Sequence, residues 1–303
     1  MTPIESLFED TFVCPTCRSS DWRPGGNDRS CRRCGYSAQI GGRHVNLLPE
    51  HLSSSNQREA DYFDTMSESE RAVVEAYMLN KPYNYPRLIQ EEYLRCCATI
   101  REQARDLGPD PSILFVFGGG GMEAHLSNLL GPRVVLADIS AELLSQAEKR
   151  FAHYGVAQPA AFVTCDAEHL PFADNSFDLV VGFEGIHHCM IPQASLAQIW
   201  QVARHRAFIV DNYECALTNL LFSVGRSSAV EYSGLKPNRF TRNALATMMQ
   251  NANIASHDFR YYASIPPAIA SRLGYRASRA AASLLEKIGQ TNKFMLSADK
   301  KAP

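Results

Sequence analysis

A chain of 303 residues, 45% hydrophobic and 20% charged, can bury a sizeable core, which excludes a disordered protein and a single small module. Thirty basic against 32 acidic residues, a formal net charge of −2, argue against a surface built throughout to hold nucleic acid. That average conceals a split: from Lys236 onward there are 11 basic and 3 acidic residues, and before it 19 and 29.

The opening stretch, MTPIESLFEDTF, is acidic and lacks the basic start and apolar run of a secretory signal. No later window approaches the roughly 18 apolar residues of a membrane span. Together these predict a cytoplasmic protein with reduced thiols, so its nine cysteines point to metal or chemistry more than to disulfides. Four of the nine form two C-x2-C pairs, Cys14/Cys17 and Cys31/Cys34, thirteen residues apart. Each pair can sit on a tight turn, and two such knuckles complete a tetrahedral zinc site. Four thiolates leave no open coordination position, so the Zn2+ expected here is structural. A segment of roughly 50 residues with little core of its own needs such a staple. Residues 1–50 are therefore expected to form a zinc ribbon.

Residues 51–110 read as a helical cap and linker, with His51 to Asn56 as the linker and aromatic, turn-rich stretches at Asp61–Asp64 and Pro82–Pro86. Ile113–Phe117 is an apolar run of strand length that meets Gly118-Gly119-Gly120-Gly121 directly. Met122 to Leu130 has helical spacing, stopped by Gly131-Pro132, and Arg133–Asp138 is a second strand ending in a carboxylate. A strand feeding a glycine turn lets backbone approach a ligand closely, and a carboxylate closing the next strand can accept both ribose hydroxyls of an adenosine. Ala141–Phe151 is an amphipathic helix with Leu143, Leu144, Ala147 and Phe151 on one face. Ala161–Ala167 reads as a third strand with Asp166 just past its end, and Phe177–Gly182 as a fourth.

The segments FGGGG, VVLADIS, AELLSQAEKRF, VTCDAEHLPFADNSFDLVVGFEGIHH and HRAFIVDNY stand in the order and spacing of one family. Residues 113 to about 215 resemble a class I S-adenosylmethionine (SAM) dependent methyltransferase of the ubiquinone-biosynthesis branch. Asn238–Ala246, His257–Tyr262 and Lys293–Ala298 resemble that family's later helix start and two closing strands, and residues 12–50 resemble zinc ribbons that accompany methyltransferases. The resemblance implies an α/β fold: a Rossmann-like seven-stranded methyltransferase sheet with helices on both faces, here filling 111–303 and preceded by the small ribbon. It further implies that Gly118, Gly119, Gly120 and Gly121 pass the methionine moiety of SAM and that Asp138 holds the ribose. Ile139 then packs on adenine, Asp166 accepts from its amino group with Ala167 beside it, and Phe183 and Glu184 face the sulfonium. The sequence departs from the family's pattern at Phe115, where an acid is usual, and at Phe117, where glycine is usual.

Methyl transfer to a heteroatom is an in-line displacement, so an enzyme supplies positioning and, for a weakly acidic nucleophile, a base. The candidates follow the fourth strand: His187, His188 and Glu184. Cys165, Cys189 and Cys215 read as core. A lid insertion is expected at about 215–237, including Arg226, Glu231 and Tyr232. Asp61–Tyr85 would form the opposite wall, where Tyr62, Tyr77, Tyr83 and Tyr85 either cover the sulfonium, wall a substrate pocket or simply pack their helices, and a basic helix at about 266–289 would present Arg272, Arg276 and Arg279 to an anion or, more simply, to solvent. The function expected is methyl transfer to a small molecule, with an anionic acceptor suggested by where the positive charge lies. A ribosomal RNA guanine methyltransferase is the alternative, which the acidic first 235 residues weigh against. A non-catalytic scaffold is the third reading, motivated by Phe115 and Phe117. Nothing in the sequence sets the oligomeric state.

Overall fold

The structure, a computed structural model, describes residues 3–120, 122–126, 129, 131, 133–223 and 236–300. After helix α1 (Pro3–Asp10), the ribbon contributes strands β1 (Trp22–Pro24), β2 (Asp28–Cys31), β3 (Ser37–Gly41) and β4 (His44–Asn46). Three helices follow: α2 (Ser54–Asp64), α3 (Glu68–Leu79) and α4 (Arg87–Arg105). Then come β5 (Ile113–Val116), β6 (Val134–Asp138), α5 (Ala141–His153), β7 (Ala161–Thr164), β8 (Phe177–Phe183), α6 (Pro192–Val202) and β9 (Ala203–Asn212). The chain closes with α7 (Ala216–Ser223), α8 (Arg242–Asn251), β10 (His257–Tyr262), α9 (Pro267–Leu273), α10 (Tyr275–Lys287) and β11 (Lys293–Asp299).

Seven strands run in the order β7-β6-β5-β8-β9-β11-β10, parallel from β7 to β9, with β11 and β10 antiparallel. Strands covered on both faces need apolar side chains on both, and β5, β7 and the first six residues of β8 are buried without a break. Alternate residues feed two cores: Leu114 and Val116 lie in one, Ile113 and Phe115 in the other. From β5 the chain moves outward one way through β6 and β7, then returns to lay β8 and β9 on the other side. That reversal between β5 and β8 opens a crevice at their carboxyl ends, where α/β folds place ligands.

The ribbon extends this sheet. Strand β4 pairs in parallel with β7, His44 opposite Phe162 and Asn46 opposite Thr164, so the seven strands become part of an eleven-stranded sheet. Further ties hold it there: Arg18 donates to the carbonyls of Leu170 and Phe172, the latter at 2.9 Å, and Phe12 makes a bridge to Phe172.

Local structure departs from sequence expectation at three places. The glycine run and its sequel are 3-10 turns, Gly118–Gly120 and Met122–Leu126, where helical spacing predicted an α-helix to Leu130. Glu123 and Ala124 are drawn into the buried interior there, which a solvent-facing helix start does not require. The expected linker through Asn56 already belongs to α2, capped by Ser53, whose side chain accepts from the Asn56 backbone. The basic region is two helices, because Gly274 at φ +73° breaks it. Of the expected lid, α7 occupies the first part, while Arg226, Glu231 and Tyr232 lie outside the described residues.

Candidate active site

The site is built on the crevice at the ends of β5 to β9. Leaving β5, Phe117 adopts φ +65°, a conformation that favours glycine, and its ring turns back toward β8. Room for the ring comes from Gly185: a Cβ there would lie 2.5 Å from that of Phe117 and overlap the ring itself. A Gly185→Ala substitution is expected to destabilise the protein by about 1–3 kcal/mol through overpacking. Adding Phe117→Ala should recover much of that loss in a double-mutant cycle read by thermal unfolding, whereas independent effects would show the ring does not depend on Gly185.

The glycine turn then packs against β6 and α5. A side chain on Gly119 would meet Leu143 Cβ at 2.5 Å and the Asp138 carboxylate at 2.8 Å. Asp138 instead accepts from the Gly119 amide at 2.9 Å and from the Ser140 amide at 3.1 Å, and burial raises its pKa. At the end of β7, Asp166 accepts from the Glu168 amide at 2.9 Å and from the Asn56 side chain at 3.2 Å.

A cavity of about 450 Å³ lies above these carboxylates. It gathers Gly120, Asp138, Ile139, Asp166, Ala167, Phe183, Glu184, His187 and His188 into one lining. Gly118 and Gly119 are buried behind that lining, and Gly121 lies outside the described residues. Phe115 is in the core and Phe117 on the wall. Of the four tyrosines, Tyr77 and Tyr85 line the cavity; Tyr83 is exposed against His125, and Tyr62 packs edge-on to Phe63. Arg272, Arg276 and Arg279 are absent from the lining, to which the basic C-terminal region contributes Lys293.

Several lining residues were not among the residues singled out individually from the sequence. Asn56, Glu59 and Phe63 come from α2, Lys81 from the turn after α3, Tyr93 from α4 and Lys293 from the start of β11. The cap is fastened over the site by Asp64, which accepts from the Ser140 hydroxyl at 3.0 Å, and by the ion pairs Lys149–Glu75 and Arg71–Glu142. Buried Arg150 donates to the carbonyls of Gly120 and Lys81, tying the cap turn to the glycine turn. Burial lowers the pKa of Lys81, against the pull of Glu184. Glu123 is buried in the same lining, with Oε2 unpartnered, and burial lifts its pKa to about 7.

Glu184 stands at φ +50° and accepts from Tyr93 Oη at 2.8 Å and from Lys293 Nζ. Burial alone would raise its pKa, but Lys293 and Lys81 outweigh that and hold it at about 2. It is therefore a fixed anion at neutral pH and a weak base. His187 is oriented differently: its buried Nδ1 donates to Asp211 at 2.6 Å, so that in the neutral ring Nε2 carries the lone pair. The His188 ring lies 4.1 Å from that of His187, with Nδ1 3.6 Å from Glu59.

At the far edge of the sheet, the sulfurs of Cys14, Cys17, Cys31 and Cys34 all lie within 4.8 Å of one another. A tetrahedral ion with bonds of about 2.3 Å would set them about 3.8 Å apart, so the donor set fits. The two knuckles match: the amides of Arg18 and Gly35 return to the carbonyls of Cys14 and Cys31, both at 2.9 Å, and both residues have positive φ.

Residues 116–210 match the family model described as a methyltransferase domain. The chain carries a class I SAM-dependent methyltransferase domain. It is 38% identical over 95 residues to the ubiquinone/menaquinone biosynthesis C-methyltransferase UbiE of Pseudomonas savastanoi pv. phaseolicola (strain 1448A / Race 6), covering 30% of this chain and 37% of that protein. UbiE of Stutzerimonas stutzeri (strain A1501) is 35% identical over 114 residues, 37% of this chain and 44% of the relative. The chain thus spans less than half the length of the curated relatives it matches. Among solved structures, the magnesium protoporphyrin IX methyltransferase ChlM of Synechocystis PCC 6803, with bound SAH, superposes with a TM-score of 0.55 at 13% identity. That match covers 82% of this chain and all of the other. The [4+2]-cyclase SpnF superposes with a TM-score of 0.53 at 16% identity, over 84% of this chain and 99% of its own. At such identities the likeness is one of fold, and a cyclase among the neighbours shows that the methyltransferase fold alone does not name a reaction.

Proposed function

We propose that this protein transfers a methyl group from SAM to a small-molecule acceptor and carries a structural Zn2+ on its ribbon. The observation behind this reading is a pair of carboxylates beside a glycine turn, half-buried Asp138 at the end of β6 and buried Asp166 just past the end of the adjacent β7. The chemistry that SAM supplies when bound is an electrophilic methyl group on a sulfonium. Asp138 would accept the ribose hydroxyls, Ile139 and Ala167 flank the adenine, and Asp166 would take its amino group. Gly118, Gly119, Gly120 and Gly121 bring backbone to the methionine end, where Lys81 suits a carboxylate and the unpartnered oxygen of Glu123 suits an ammonium. Lys81 and Glu123 thereby supply charge that Phe115 does not.

Phe183 and Glu184 face the sulfonium in this reading, with Glu184 as a permanent negative charge. The base is His187: Asp211 fixes its tautomer and leaves Nε2 to accept the acceptor's proton. His188, paired with Glu59 of the cap, positions the acceptor from the other side. Enclosure beneath α2 to α4 and a lining rich in carboxylates support a small acceptor over a polyanion such as RNA. Cys14, Cys17, Cys31 and Cys34 hold the zinc, which has no role in the chemistry because four thiolates fill its coordination.

Calorimetry with SAM and SAH, then incubation with SAM and a metabolite panel followed by mass spectrometry, tests the proposal; absence of SAM and SAH binding would end it. Asp138→Ala should weaken SAH by about 100-fold, the order expected for hydrogen bonds to a buried charge. An unchanged affinity in that variant would remove the ribose role.

A further inference from the structure

The helices α9 and α10 reverse the usual placement of side chains. Their buried residues are small: Ala270 on α9, Ser278 and Ala282 on α10. The large aliphatic residues face outward. Ile269 is 43% exposed, Leu273 49%, Leu284 58% and Ile288, which caps α10, 59%. Ile269 and Leu273 stand one turn apart on α9, and Leu284 and Ile288 one turn apart at the end of α10, so each pair shares a face. Single exposed aliphatics are ordinary, but four on one helix pair whose inner face is alanine and serine mark a surface that meets something.

The charge beside this apolar stripe is nearly all positive. Around α10, Arg276, Ser283 and Lys287 form the row next to Ala277, Leu284 and Ile288, and Arg272 stands near the end of α9. From Pro267 to Ile288 the chain carries Arg272, Arg276, Arg279 and Lys287 against Glu286, a net +3 within a total of −2, which leaves −5 for the rest. Glu286 is committed to the fold, its Oε1 accepting from the Ala263 amide at 3.1 Å. Arg279 donates to Tyr275 Oη at 2.7 Å, while no ion pair among the described residues takes up Arg272, Arg276 or Lys287. Helix α9 starts at the rim of a second cavity of about 210 Å³, where Pro266 and Pro267 are in the lining. None of the four cations lines that cavity or the first, so their charge is turned to the surroundings.

Like charge on both sides disfavours a second copy of this chain as the occupant. A nucleic acid would pair with the cations and leave Ile269, Leu273, Leu284 and Ile288 in water. An anionic lipid surface satisfies both sets of groups. Its headgroups meet the cations, and the aliphatic side chains enter the boundary with the acyl chains. Among the described residues no helix is long and apolar enough to cross a membrane, so the contact is one of surface. We propose that α9 and α10 dock this protein on an anionic lipid surface, with Leu284 and Ile288 inserted and Arg272, Arg276 and Lys287 on the headgroups. The acidic remainder of the chain is repelled by the same surface and sets the orientation. This docking does not depend on the methyltransferase reading.

Flotation of the full chain with vesicles of phosphatidylcholine, alone or mixed equally with phosphatidylglycerol, provides the test. The protein should float with the mixed vesicles and stay behind with the neutral ones. It should be released in about 1 M salt, where the Debye length falls to about 3 Å. Arg276→Gln combined with Lys287→Gln should weaken binding by about 30-fold, about fivefold for each cation at the surface. Leu284→Ser combined with Ile288→Ser should weaken it by about tenfold or more and, because both side chains are exposed, leave the melting temperature unchanged. Leu284→Trp should add an emission that moves to shorter wavelength on the mixed vesicles. Equal binding to neutral vesicles, no binding to either, or binding indifferent to the Leu284 and Ile288 substitutions would overturn the proposal. A dimer in sedimentation velocity that the same two substitutions dissociate would also overturn it and assign the face to a second copy.

Discussion

Cys31→Ser is expected to remove the metal from the ribbon and to lower the stability of the methyltransferase domain with it. Structural zinc sites contribute an apparent binding free energy of about 10–16 kcal/mol at neutral pH. The ribbon's own buried residues, Tyr36, Ala38, Val45 and Leu47, hang on the strands that the knuckles hold. Strand β4 also covers the edge of β7, so losing the ribbon exposes the β7 backbone and the aromatic contact of Phe12 with Phe172. Elemental analysis should fall from one zinc per chain to none. The melting temperature should drop for the domain as a whole, and a strong chelator should reproduce the change in the unaltered protein. A metal-free variant that melts where the parent does would refute the structural role.

The second large effect is expected at Glu184. Glu184→Gln leaves the Lys293 ammonium in the interior without its carboxylate, a loss of about 3–5 kcal/mol for a broken buried pair. The acid limb carries the signature. A carboxyl held at about 2 in the folded state, against 4.5 ordinarily, contributes stability that is complete above 4.5 and lost as pH falls toward 2. The parent protein should therefore lose stability through that window, and Glu184→Gln should show a shallower decline there from a lower starting value. Denaturant titrations at a series of acidic pH values provide the measurement; parallel curves for the two proteins would mean the pair is not what depresses the Glu184 pKa.

Much of the architecture was legible because the relevant signals are local. Ile113–Val116, Ala161–Thr164 and Phe177–Phe183 read as strands since parallel strands covered on both faces need unbroken apolar runs. Asp138 and Asp166 were legible as strand-end carboxylates, and His187 and His188 as the residues following β8. Misreadings arose where tertiary demands overrode local pattern. The polar stretch before Asn56 looks like a linker, yet Asn56 is needed inside, against Asp166. The helix expected after the glycines gave way to 3-10 turns that bury Glu123. Of the positive charge concentrated late in the sequence, Lys293 lines both cavities, whereas Arg272, Arg276 and Arg279 are among the lining residues of neither.

By itself, then, the sequence determined which four cysteines gather, the central strands and the carboxylates at their ends. Each depends on residue type at short spacing: two C-x2-C pairs, apolar runs of strand length, and acids at or just past a strand end. Only the tertiary structure decided that the ribbon joins the sheet, because edge pairing of β4 with β7 is made by backbone groups that every residue carries. It also decided the site's charge. Lys81, Tyr93, Glu184 and Lys293 are separated by up to 212 positions and meet only after the cap folds over β8 and β11. The depressed pKa of Glu184 follows from Lys293 and Lys81 lying close enough to outweigh burial, and that proximity is not local in a sequence.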